Sequence, residues 1–217
     1  MGMKSDKTFL SRVSKSPSSI WIWFLLTILA IAVFTTLGPA EHSLGTHIRV
    51  VYLHGAWVWA SMGAFFLAAS CGAIGLVTRQ NKFHCWSAAF GRTGLIFWIT
   101  YLPLSLWAMQ SNWNGLFLAE PRWRFALVFS ISGLLLQVGL GLANKPVLTS
   151  IFNLVYFVAM VIALQNTANI MHPASPILSS EEWRIQFFFF GLVLLTMIAA
   201  WQLARWWYIH EPNCAGQ

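Results

Sequence analysis

Six stretches of the chain are almost wholly apolar, and the polar residues gather in short segments between them. The stretches run roughly Ile20–Leu37, Val51–Val77, Ala88–Met109, Trp123–Ala143, Val147–Thr167 and Trp183–Tyr208. A helix rises about 1.5 Å per residue, so each can cross a hydrocarbon core about 30 Å thick. No other segment is long enough for a separate soluble domain. The pattern predicts an all-α, polytopic membrane protein with six transmembrane helices in one domain over residues 1–217. A basic segment, 1–19, precedes the first span, and a short tail, 209–217, follows the last. The first stretch resembles a secretory signal in its basic flank, but it is long for one, and spans of equal strength follow it. We expect a retained first helix.

Charge sets the expected orientation. Arg79, Lys82, Arg92, Lys145 and Arg205, with Lys4, Lys7, Arg12 and Lys15, lie on one side of the alternating spans. Only Arg49, Arg122, Arg124 and Arg184 lie on the other. The basic excess marks the first side, and with it both termini, as cytoplasmic. The acids sort the opposite way: Glu41, Glu120, Glu181 and Glu182 are outside, and Asp6 and Glu211 inside. Acidic residues have little say in topology, so their bias points to chemistry in the longer outer loops.

Composition agrees with a lipid environment. Of 217 residues, 58% are hydrophobic and 9% charged, against about 25% charged in ordinary soluble domains. The net charge of +7 has the sign for nucleic acid, yet its distribution follows topology, and no nucleic-acid partner is expected. Cys71, Cys85 and Cys214 share no metal-ligand spacing and are expected to be small, buried or reduced thiols.

Candidate chemistry concentrates at the outer face. His42, His47, His54 and His172 belong there, and His84 and His210 to the inner side. His54 stands about one turn inside the second span, and an ionisable group within a span is a functional candidate by default. His172 follows the fifth span, 118 residues further along, at a similar expected depth. His47 shares a helical face with His54 if that helix reaches so far; His42, beside Glu41, reads as solvated. Two imidazoles on one side suit the axial positions of an iron porphyrin. Copper and zinc remain open, with an outer glutamate as a further donor. Trp57, Trp59, Trp107, Trp113, Phe117 and Trp123 offer aromatic surface, though tryptophan also anchors helices at membrane interfaces. Arg49, Arg122 and Arg124 offer positive charge.

The segment WNGLFLAEPRWR, Trp113 to Arg124, lies between the third and fourth spans. Its first ten residues align without a gap on the pattern W-G-x-W-W-x-W-D-x-R. Tyr52-Leu53-His54 matches a Y-x-H motif opening the second span, followed by Ala56-Trp57. Asn169-Ile170-Met171-His172 matches an N-x-x-H motif after the fifth, and Ser105-Leu106-Trp107 closes the third. In this order and sidedness, residues 48–208 resemble the CcmC-type haem-handling membrane proteins of cytochrome c maturation, the WWD-domain family. The resemblance implies haem b held at the outer face of the cytoplasmic (inner) membrane, with His54 and His172 as iron ligands. It implies a platform over Trp107, Trp113, Phe117, Glu120, Arg122 and Arg124, and as partners ABC-type transporter subunits and a periplasmic haem chaperone. The platform departs from the pattern. Three of its tryptophans are Leu116, Phe117 and Ala119, its aspartate is Glu120, and its glycine is Asn114. Thr167-Ala168 stands where the family has a tryptophan pair before the second histidine.

The function expected is therefore non-enzymatic: binding haem b and presenting it for cytochrome c biogenesis. The alternative, motivated by the thinned platform, is an accessory or structural subunit of a larger membrane redox complex, with or without haem. Glu120 and Arg122 also read as the N-terminal boundary of the fourth span, where the helix dipole favours an acid. A small-molecule transporter is disfavoured by the scarcity of intramembrane acids. No nucleophile–base constellation is apparent, and Ser61 and Ser70 read as helix-packing residues.

Overall fold

The computed structural model describes residues 17–168, 170, 177 and 181–211. Six helices account for most of them: α1 Pro17–Thr36, α2 Ile48–Thr78, α3 Asn81–Trp113, α4 Pro121–Ala143, α5 Pro146–Gln165 and α6 Trp183–His210. No strand occurs among the described residues, only an isolated bridge between Glu41 and Gly45. The chain is an all-α protein. Five of the helices, all but α3, are long and apolar enough to cross a membrane. At 33 residues α3 is the longest, but Lys82, His84, Arg92 and the polar run before Trp113 dilute its apolar character.

Helix ends follow local chemistry, and one differs from expectation. The inner connection TRQNKFHCW was expected as a loop. Instead only Arg79 and Gln80 separate α2 from α3. Arg79 takes the left-handed conformation, φ 56°, and its N–H bonds back to Gly75 O, a geometry that ends a helix within one residue. Asn144 does the same for α4, with φ 49° and its N–H on Leu140 O. Pro146 then starts α5 at a position where its missing N–H costs nothing. Two-residue turns make these neighbours antiparallel. The longer connections, 37–47 and 114–120, lie at the other end. There Arg49 Nε donates to Gly38 O (2.9 Å) and Tyr52 OH to Pro39 O (3.2 Å), tying the 37–47 loop onto α2.

The bundle is built around α2 and α3. A small-residue ladder, Ala56, Ala60, Ala64, Ala68 and Gly72, recurs every four residues along α2 and is buried throughout. Small residues let backbones approach closely, which is how helices gain contact where lipid is as apolar as the side chains. At Gly72 a Cβ would stand 2.9 Å from Ser150 O on α5 and 3.1 Å from Ser87 Oγ on α3. Gly91 is as tight against Asn153 and Gly94 against Phe65. Ser61 Oγ donates across to Gly94 O at 2.8 Å, in keeping with its packing role.

Buried polar groups bond between helices at the turn end. Asn153 Nδ2 donates to Ser87 O (2.9 Å) and Ser87 Oγ (3.1 Å), and its Oδ1 accepts from Gln137 Nε2 (2.8 Å). His84 Nδ1 lies 2.7 Å from Ser150 Oγ. The amide of Asn153 thus joins α3, α4 and α5. Helix α1 leans on α6, where Phe34 stacks on Phe188 (4.6 Å) and Gln202 Nε2 donates to Thr27 Oγ1. At the foot of α6, Trp86 stacks on Tyr208 (4.2 Å) and Arg92 pairs with Glu211 at 2.6 Å. Cys71 is a free, half-buried thiol as expected. Cys85 is not: it is disulfide-bonded. Such a pairing is made by the tertiary fold and leaves no spacing signature in the chain. Cys214 lies outside the described residues.

Candidate functional site

Four helices leave a cavity of about 150 Å³ near the long-loop end of the bundle. From α2 come His54, Val58 and Met62, one helical turn apart. From α3 come Trp98, Tyr101, Ser105 and Met109, again on one face; α4 adds Arg122, Trp123 and Phe125, and α5 adds Leu164. The His54 ring sits 4.9 Å from the Tyr101 ring, tilted by 47°. Ser105 stands one turn after Tyr101 on the same face, and Trp98 Nε1 donates to Ala126 O at 3.0 Å. Pro103, inside α3 on this stretch, cannot donate to the carbonyl one turn back. Arg122 Nε and Trp123 Nε1 are buried with no acceptor among the described residues.

The residues singled out in the sequence divide around this cavity. His54 and Arg122 line it together. Trp107, Trp113, Phe117, Glu120 and Arg124 are not among its lining residues. Trp107 and Phe117 are exposed, at 54% and 40%, and Leu116 and Leu118 beside Phe117 are exposed as well. Trp113 ends α3, where Asn114 turns left-handed at φ 53°. Glu120, only 3% exposed, is the residue before Pro121 at the start of α4, and its carbonyl accepts the Arg124 N–H. Its position is that of the helix-boundary reading. Arg124 Nε is held by Leu118 O at 3.2 Å. Arg49 is spent on the 37–47 loop, and Trp57 Nε1 donates to Thr100 Oγ1. His47 is the residue before α2 and His42 lies in the preceding loop. His172 lies outside the described residues.

Trp98, Tyr101 and Met109 carry no motif and were not singled out. Their signal was the spacing 98, 101, 105, 109, which keeps one helical face; so does 54, 58, 62 on α2. Among the described residues no three His, Cys, Asp or Glu side chains come together as a metal cluster, so a copper or zinc site gains nothing from them. Glu41, in the 37–47 loop, has its carboxyl held below the ordinary range, first by the Ser43 backbone N–H and then by that of Leu44. Both bonds are 2.9 Å.

Fold and site together define a multi-pass helical membrane protein with a polar-edged cavity beside an intramembrane histidine. The chain matches no protein-family model and no curated protein.

Haem can be tested against the donor set. An imidazole, a guanidinium and exposed aromatic surface suit its iron, propionates and ring in kind. A cavity of this size holds about one six-membered ring, far less than a macrocycle. Haem bound through His54 would therefore rest against the bundle rather than inside it.

Proposed function

We propose that the protein binds haem b at the outer face of the cytoplasmic membrane and presents it for cytochrome c biogenesis, with His54 and His172 as the iron ligands. The observation that carries the reading is His54 itself. It is an imidazole within a transmembrane helix, grouped with Arg122 at the loop end of the bundle, and buried ionisable groups in spans are retained for function. Bound haem would supply a redox-active iron. His54 would hold that iron, Arg122 and Arg124 would offer charge to carboxylates, and exposed Trp107 and Phe117 would offer apolar surface. Surface attachment suits a protein that must let its cargo go. Transporter subunits and a periplasmic haem chaperone would be the partners.

The exposed residues Leu116, Phe117 and Leu118 favour a second reading, an accessory subunit of a larger membrane redox complex whose neighbour covers them. Oxidised and dithionite-reduced absorption spectra with a pyridine haemochrome assay separate the two. About one haem b per chain, lost in a His54→Ala, His172→Ala double variant that still inserts, is the expected result. A full haem spectrum in that variant removes the ligand assignment, and no haem after reconstitution moves the protein to the subunit reading. Glu120→Gln should weaken haem binding less than loss of a ligand does.

A further inference from the structure

We propose that the cavity beside His54 binds the head group of a membrane quinone, a reading that shares His54 and Arg122 with the haem reading but does not depend on it. Size comes first. At about 150 Å³ the cavity matches one that takes a single benzene ring. Its walls are mainly apolar and aromatic, with Met62, Trp98, Met109 and Phe125 available to a flat ring body.

Polarity narrows the occupant further. Arg122 and Trp123 both line the cavity, and Arg122 Nε and Trp123 Nε1 have no acceptor among the described residues. Neither group can itself accept a hydrogen bond, and a buried donor left unpaired is costly. An occupant that carries acceptor oxygen suits these donors. His54 and the Tyr101–Ser105 pair can each donate or accept. Carbonyl oxygens of a quinone and hydroxyls of the quinol both find partners in such a wall. A planar six-membered ring with ring-bound oxygen meets these requirements. Free aromatic acids share that chemistry, but three of the four helices around the cavity are apolar enough to cross a membrane, where a lipid-dissolved ligand is the one supplied.

The test is retention of radiolabelled decyl-1,4-benzoquinone by the full chain in phosphatidylcholine nanodiscs, corrected against empty discs, with labelled benzoate run in parallel. Saturable retention near one per chain is expected. Trp123→Phe keeps the aromatic body but removes the donor. It should weaken retention about fivefold, as one lost hydrogen bond would. Ser105→Phe should abolish retention by filling the cavity, with circular dichroism confirming intact helices. If Ser105→Phe fails to fold, Trp123→Phe alone decides. Retention equal to empty discs, or saturable retention that both variants leave unchanged, overturns the proposal. Saturable benzoate binding without quinone retention does so as well, assigning the cavity to a free aromatic acid.

Discussion

Replacing Asn153 with alanine removes the amide that joins three helices. The side chain is 4% exposed and makes three interhelical hydrogen bonds, two donated to Ser87 and one accepted from Gln137. Interhelical bonds in membranes average about 0.6 kcal/mol, so the three together contribute about 2 kcal/mol. The lost amide also leaves a void where Gly91 packs so closely that a Cβ would lie 2.8 Å from Asn153 Nδ2. At about 24 cal/mol per Å³, a void of roughly 35 Å³ adds about 1 kcal/mol. The expected loss is about 3 kcal/mol, roughly a hundredfold in the folding equilibrium. It would be read from reversible unfolding in mixed micelles titrated with dodecyl sulfate, followed by far-UV circular dichroism and tryptophan fluorescence. A double-mutant cycle with Gln137→Ala should give coupling of about 0.6 kcal/mol. A loss below about 1 kcal/mol, or coupling indistinguishable from zero, refutes the polar joint as a stabilising element.

Further outcomes test other parts of the structure. Gly72→Ala places a methyl 2.9 Å from the Ser150 carbonyl. Because that neighbour is backbone, the helices must part, at a cost of about 1–3 kcal/mol in the same unfolding assay. Arg92→Ala should destabilise more than Glu211→Gln, because it strands a nearly buried carboxylate whose partner stood at 2.6 Å and also strips a cation from the Trp207 ring; equal losses would contradict this. The Glu41 carboxyl titrates below its ordinary value of 4.5, so its hold on the loop is present above that value and is lost as pH falls through the lower folded one. The Ser43 and Leu44 amide resonances should move only in that acid window. Finally, a thiol introduced at Gln80 should react with impermeant maleimide only after cells are opened, and one at Asn114 in intact cells. The reverse would turn the bundle over, and the Cys85 disulfide makes the experiment pointed, since cytosolic thiols are normally kept reduced.

Spans were legible because lipid asks little of a sequence beyond length and apolarity. The expected Trp123–Ala143 and Trp183–Tyr208 became Pro121–Ala143 and Trp183–His210. The stretch before Ala88 was misjudged, since Lys82, His84 and Cys85 look like loop residues. Helix α3 nevertheless starts at Asn81, where His84 and Cys85 are buried by packing at the turn end. The site was legible only in part. His54 stood out as an ionisable group in an apolar run, and Arg122 as a charge beside one. Tyr101 could not, because a tyrosine in a span is ordinary until a cavity gives it a neighbour.

By itself, then, the amino-acid order determined six helices, their approximate ends and which residues could do chemistry, since these depend on local periodicity and on the cost of placing charge in lipid. Only the tertiary structure decided that His54 and Arg122 share a cavity while Trp107 and Phe117 stay outside it, and that Asn153 binds three helices. Those outcomes turn on how each helix rotates about its axis and how closely small residues let it approach. Apolar side chains on every face leave that rotation to packing.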